Sequence, residues 1–192
     1  MKIIFASHNQ NKTEEIRSLL PQGMTLLNLH DMQLTDEIPE EELTIEANSA
    51  FKAKWVFERF GVPCFADDTG LEVKALNNAP GVHSARYAGL SRNDQANMEK
   101  LLTALKLAAD RTAQFKTVIT YCDEMRIQQF TGIVKGKIAT EKTGNEGFGY
   151  DPIFIPEDQQ KTFAQMPLSE KNKYSHRARA TAQFLDFLRA QG

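Results

Sequence analysis

At 192 residues and a net charge of −2, from 23 basic and 25 acidic side chains, the chain has room for one domain and lacks the basic excess of a general nucleic-acid binder. Hydrophobic residues make up 41% and charged residues 25%, a globular rather than a disordered balance. The two cysteines, Cys64 and Cys122, have no metal-type spacing and read as buried thiols of a reducing compartment. No run approaches the ~18 apolar residues of a membrane span, and the opening MKIIFASHN is too short an apolar run for a signal peptide, so a cytoplasmic protein of one domain over 1–192 is expected.

The first element is a strand, KIIFAS (2–7). Polar HNQNK follows, then Ile16, Leu19 and Leu20 at helical spacing until Pro21, which predicts strand, loop and helix in succession. MTLLNL (24–29) reads as a second strand. An acidic loop, DEIPEEELTIE (36–46), leads into a helix over 45–60 with Ala47, Ala50, Phe51, Lys54 and Trp55 on related turns. PCFA (63–66) and LEVKAL (71–76) read as strands flanking DDTG. NNAPGVHSARYAG (77–89) is rich in turn formers and predicts a long loop. Ser91 with Asp94 is a candidate cap for a helix carrying Met98, Leu101, Leu102 and Leu105. AQFKTVITYC and RIQQFTGIVKGKIA alternate across DEM as a hairpin. TGNEGFGYDP (143–152) is irregular, and a last helix over about 168–190 buries Phe184, Leu185 and Leu188. Interspersed strands and helices with one hairpin imply a mixed sheet in an α/β fold.

Four stretches carry chemistry. In FADDTG (65–70), Asp67 and Asp68 fit either a turn or a carboxylate pair that binds a divalent metal and abstracts a proton. In SHNQNK, Ser7, Asn9 and Lys12 put a hydroxyl, an amide and an ammonium where a helix N-terminus offers its backbone N–H groups. That combination favours phosphate oxygens, although a plain helix cap has the same letters. GFGYDP lets the backbone approach a ligand at Gly147 and Gly149 and offers Phe148 and Tyr150 as flat surfaces, or is simply a tight turn with packed aromatics. SHRARA, with Lys171 upstream, is either a donor cluster around His176 and Arg177 or a solvated helix face. Together they are the parts of a nucleoside triphosphate–Mg²⁺ site.

The set SHNQNK, FADDTGLEVKALNNAPGVHSARYAG, GFGYDPIF and EKNKYSHRARA, in this order and spacing, resembles the inosine triphosphate pyrophosphatase family over residues 3 to about 189. The resemblance implies a two-lobed α/β fold around a long mixed β-sheet with flanking helices, a central substrate cleft and a homodimer. It implies Mg²⁺-dependent hydrolysis of ITP, dITP and XTP to the monophosphate and pyrophosphate. By the same resemblance Ser7, His8, Asn9, Gln10, Asn11 and Lys12 form the phosphate loop. Asp68 is the general base and a metal ligand, and Thr69 contacts substrate. Phe148, Gly149, Tyr150 and Asp151 form the base loop, Lys171 contacts phosphate, and His176 with Arg177 face the purine's oxo groups. Glu40 is the second metal ligand, with Glu37 and Glu41 as alternatives. His8 replaces the glycine common in the family's first motif, and the acidic loop lacks the usual Thr-Gly. The competing readings are a metal-dependent phosphatase releasing orthophosphate and a nucleotide-binding module without turnover.

Overall fold

The protein is described by a computed structural model over residues 2–190. Seven strands form one mixed sheet in the order β2 (Thr25–Asn28), β1 (Lys2–Phe5), β3 (Cys64–Val73), β5 (Thr112–Cys122), β6 (Ile127–Ile138) and β7 (Phe154–Pro156), with β4 (Pro80–Gly81) paired to β3. β1 runs parallel to β2 and β3, whereas β4 on β3 and β7 on β6 are antiparallel. The helices are α1 (Gln10–Arg17), α2 (Ile45–Phe60), α3 (Asp94–Ala104), α4 (Leu168–Lys171) and α5 (His176–Arg189). Among the described residues no helix is long and apolar enough to cross a membrane.

The chain divides into two compact units. One comprises Met1–Asp68, Thr117–Gly132 and Arg177–Gly192; the other comprises Thr69–Lys116 and Ile133–His176. In the first, the period-2 pleat sorts side chains onto two buried faces. Ile3, Phe5 and Phe65 pack with Ile16 of α1 and with Ala180 and Phe184 of α5. Ile4, Ala6, Cys64 and Ala66 pack on the opposite face with Ala53 and Val56 of α2. The second unit has one core, in which Leu71 and Val73 meet Met98 and Leu101 of α3 and the aromatics Phe115, Tyr150, Phe154 and Phe163.

Several expectations change in detail. DDTG does not interrupt the strand, because β3 is continuous from Cys64 to Val73. Its parallel pairing with β1 holds Cys64 and Phe65, and its antiparallel pairing with β4 holds Leu71 and Glu72. The strand that ends beside the aspartates is β1, whose register reaches Phe5 opposite Phe65. The last helix is two, separated at Asn172–Ser175, with Phe184 and Leu185 buried and Leu188 half-buried. Helix α3 is capped by Asn93, whose side chain accepts from the Ala96 amide, rather than by Ser91.

Helix α2 buries Ile45, Asn48, Ser49, Lys52, Ala53 and Val56, a stripe offset from the apolar positions Phe51 and Trp55, which are only half-buried. Ser49 explains part of that polar stripe. Its hydroxyl reaches the carbonyls of Ala66 on β3 and Val118 on β5 at 3.3 and 3.0 Å, and Thr120 Oγ1 at 2.8 Å. The bracing lies one residue before Asp67. Ser49→Ala removes these bonds at a cost of about 1–2 kcal/mol, so its thermal midpoint is expected to fall by about 2–8 °C in calorimetry.

Candidate active site

Asp67 and Asp68 are adjacent in a strand, so their side chains leave opposite faces. Asp67 follows Phe65 toward α1 and α5; Asp68 follows Ala66 toward α2. Each meets its own cations. Asp67 Oδ1 accepts from Lys12 Nζ at 2.8 Å, and its Oδ2 accepts from Arg177 Nε at 3.2 Å. Arg177 Nη1 donates in turn to Glu15 of α1. Asp68 Oδ1 accepts from Lys52 Nζ at 3.1 Å, and the same ammonium donates to Glu40 Oε1 at 3.2 Å.

These charges are largely withdrawn from water: relative exposure is 1% for Asp67, 2% for Arg177, 5% for Glu15 and 6% for Lys52. Burial alone would raise the Asp67 carboxyl, but Lys12, Arg177 and Lys52 outweigh it and hold it well below the usual carboxylate range. Burial wins at Asp68, whose carboxyl is pushed up despite Lys52 and Lys12. Burial would lower the Lys52 ammonium; Asp68 and Glu40 reverse the direction. Burial pushes the Lys12 ammonium down, and neighbouring Lys52 and Arg177 add to the effect against the attraction of Asp67. The two adjacent carboxylates are therefore different acids: Asp67 a fixed anion, Asp68 a more basic group.

The phosphate-type loop is built around α1. Asn9 caps the helix, its side chain accepting from the Lys12 amide at 3.1 Å, and Ser7 Oγ accepts from the Asn9 amide at 3.1 Å. Gln10 Oε1 meets Asn28 Nδ2 at 3.4 Å, and Asn11 is exposed. His8 is held by its ring: Nε2 donates to the Leu34 carbonyl at 2.9 Å, and the ring stands edge-on to His30.

In the second unit, the base-type loop is organised by Asp151. Its Oδ2 accepts from the Phe148 amide at 2.9 Å and from Lys171 Nζ at 2.6 Å. Gly147, at φ +75°, lies so close to this carboxylate that a Cβ would run into it. The Lys171 ammonium lies 5.2 Å from the Phe148 ring centre and 5.5 Å from that of Phe163. Gly149 N–H donates to Asp94 Oδ2 at 2.8 Å, and Tyr150 donates its hydroxyl to the Ser84 carbonyl at 2.8 Å. Tyr150 is a core residue, leaving half-buried Phe148 as the ring of this loop nearer solvent. His176 is buried and stacks on Phe115 at 4.5 Å. Thr69 follows Asp68 on β3 and is half-buried.

Within the first unit, the structure thus gathers Lys12, Asp67, Asp68, Glu40 and Arg177; within the second, it gathers Phe148, Gly149, Asp151 and Lys171. Glu37 and Glu41 are exposed, whereas Glu40 is half-buried on Lys52. Lys52 and Glu15 are the participants absent from the sequence reading, and Asp94, read there only with a helix cap, holds the Gly149 amide. Lys52 lay on a readable signal, the i, i+3, i+4 stripe 45, 48, 49, 52, 53, 56 that α2 buries. Glu15 had none, because its partner is 162 positions away.

No cluster of three or more His, Cys, Asp or Glu side chains able to hold a metal occurs among the described residues. The carboxylates nonetheless suit a hard cation that completes its coordination from phosphates and water. Asp68 Oδ2 is buried without a hydrogen-bond partner among the described residues, and Glu40 is one ammonium away.

Similarity to known proteins spans nearly the whole chain. The Ham1 family pattern matches residues 3–187. A protein of Flavobacterium johnsoniae named dITP/XTP pyrophosphatase is 54% identical over 190 residues, covering 99% of each chain. The Bacillus subtilis protein of the same name is 42% identical, covering 97% of this chain and 96% of its own. Among solved structures, the Staphylococcus aureus Ham1 protein superposes with a TM-score of 0.90 at 38% identity over 100% of both chains.

Because the folded-state pKa of Asp67 lies below the unfolded value of about 3.9, its stabilising contribution is complete above that value and is lost as pH falls through the folded pKa. In metal-free buffer the urea midpoint of the wild type is expected to drop more steeply from about pH 5 to pH 2 than that of Asp67→Asn. Parallel curves would show that Asp67 does not carry this dependence.

Proposed function

The chain belongs to the Ham1 family, and on that premise we propose that it hydrolyses the nonstandard purine nucleoside triphosphates dITP, ITP and XTP to the monophosphate and pyrophosphate. The relatives' name dITP/XTP pyrophosphatase supports the substrate class. The observation that carries the chemistry is Asp68: a buried carboxylate, pushed toward higher pKa, with one oxygen held by Lys52 and the other aimed at no protein donor among the described residues.

Asp68 Oδ2 accepts a proton from the attacking water, while Lys52 on Oδ1 fixes the carboxylate's rotation. Asp68 and Glu40 would hold Mg²⁺, which supplies charge neutralisation at the phosphates and acidifies the water. Lys12 and the first turn of α1, beyond Ser7 and capped by Asn9, receive phosphate oxygens. Phe148 offers its ring to the purine. Lys171, buried on Asp151 and close to that ring, serves the base loop rather than the phosphates.

His176 and Arg177 present donors to the 6-oxo group. Adenine places an amino donor at that position, and a buried donor facing a donor costs about 1–3 kcal/mol, or roughly ten- to a hundredfold in discrimination. We further place the enzyme in the cytoplasm as a magnesium-dependent homodimer. The family resemblance supports the dimer, and the free, buried Cys64 and Cys122 suit a reducing compartment.

Hydrolysis of ITP in ¹⁸O-labelled water is expected to place the label in IMP and none in pyrophosphate, since attack falls on the α-phosphorus. Label in pyrophosphate or orthophosphate would contradict the reading. Asp68→Asn is expected to lower kcat by about 10²–10⁴-fold while retaining its thermal transition.

A further inference from the structure

The buried charges around Asp67 form a closed circuit. Helix α1 contributes both Lys12 and Glu15, one turn apart. Lys12 Nζ reaches Asp67 Oδ1 at 2.8 Å, Asp67 Oδ2 takes Arg177 Nε at 3.2 Å, and Arg177 Nη1 returns to Glu15. One carboxylate thus spends each oxygen on a different cation. Such a bridge fixes the separation of the two cations, because a shift of either breaks a bond to a buried carboxylate.

We propose that Asp67 is a positioning residue that couples purine selection to triphosphate binding. It ties the guanidinium of Arg177 to the ammonium of Lys12, so base and phosphates are read by one rigid cluster instead of two independent subsites. The inference rests on the assignment of Lys12 to phosphate and Arg177 to the purine. Glu15 meets the Arg177 end of this bridge, and its removal is expected to act on selection. A purely structural ion-pair cluster would lower stability on mutation without moving either recognition property in a ligand-specific way.

Two readings separate these cases: the ratio of kcat/KM for ITP over ATP, and inhibition by inorganic tripolyphosphate, which has phosphates and no base. Glu15→Gln is expected to lower the ITP/ATP ratio about tenfold and to leave tripolyphosphate inhibition within about twofold of wild type, the change expected where a contact is not shared. Asp67→Asn is expected to lower the ratio and weaken tripolyphosphate inhibition, each by about tenfold. Combined, the two substitutions should reduce the ratio by less than the product of their separate effects, because both act through Arg177.

An Asp67→Asn protein that melts cooperatively yet keeps both properties, or loses only one, overturns the proposal. If Asp67→Asn does not fold, Asp67→Glu, which keeps the charge but lengthens the arm, is expected to shift both properties in the same directions; a shift in only one, or in neither, overturns it equally. A wild-type protein that releases no pyrophosphate from ITP removes the functional reading and the coupling with it. Wild-type turnover of ITP combined with an inert Asp67 substitution removes the coupling alone.

Discussion

The pleat of β3 resolves the difficulty of placing two carboxylates side by side. Adjacent positions on a strand face opposite ways, so Asp67 and Asp68 are neighbours in sequence but belong to separate ion-pair systems. One is neutralised from α1 and α5, the other from α2, and the helices are where they are because the flanking residues Phe65 and Ala66 draw apolar partners to each face. The same backbone spacing therefore produces a firmly ionised anchor and a more basic carboxylate from identical side chains. A one-residue slip of β3 would exchange the two environments, which makes the register with β1 at Cys64 and Phe65 part of the chemistry.

The second unit uses one carboxylate in a comparable way. Asp151 gathers the Phe148 amide and the Lys171 ammonium, and Gly147 lets the backbone pass close to it. Asp94, in the first turn of α3, holds the Gly149 amide. A Gly-rich loop, which composition alone would leave mobile, is thus fixed by two acidic side chains from different elements. In the proposed function, pre-organisation of this kind lowers the entropic cost of stacking a base on Phe148.

Much of this was legible in the sequence, and the reasons differ by element. Strand alternation and helical spacing marked the long elements other than β3, which reads as two strands flanking DDTG, and the hairpin over β5 and β6 was signalled by DEM between two alternating runs. The candidate stretches stood out because glycines, a helix cap and clustered charges each leave local letters. Asp151 was read as a substrate contact, but its bonds to Phe148 and Lys171 depend on a loop path that no local pattern specifies. Lys52 was passed over for the apolar neighbours Phe51 and Trp55. A buried lysine becomes visible only when the polar stripe of α2 is followed as closely as an apolar one. The partition of Asp67 from Asp68 required knowing that DDTG stays in the strand, and that follows from pairing to β1 and β4, elements distant in the chain.

The proposed enzyme releases pyrophosphate and selects purines by their 6-oxo group. The most direct test is steady-state turnover of ITP, dITP, XTP, ATP and GTP with Mg²⁺, with pyrophosphate and orthophosphate assayed separately. Pyrophosphate from ITP, dITP and XTP, with turnover of ATP lower by at least about tenfold, is the result predicted. Orthophosphate as the first product, or equal turnover of every nucleotide, would contradict it.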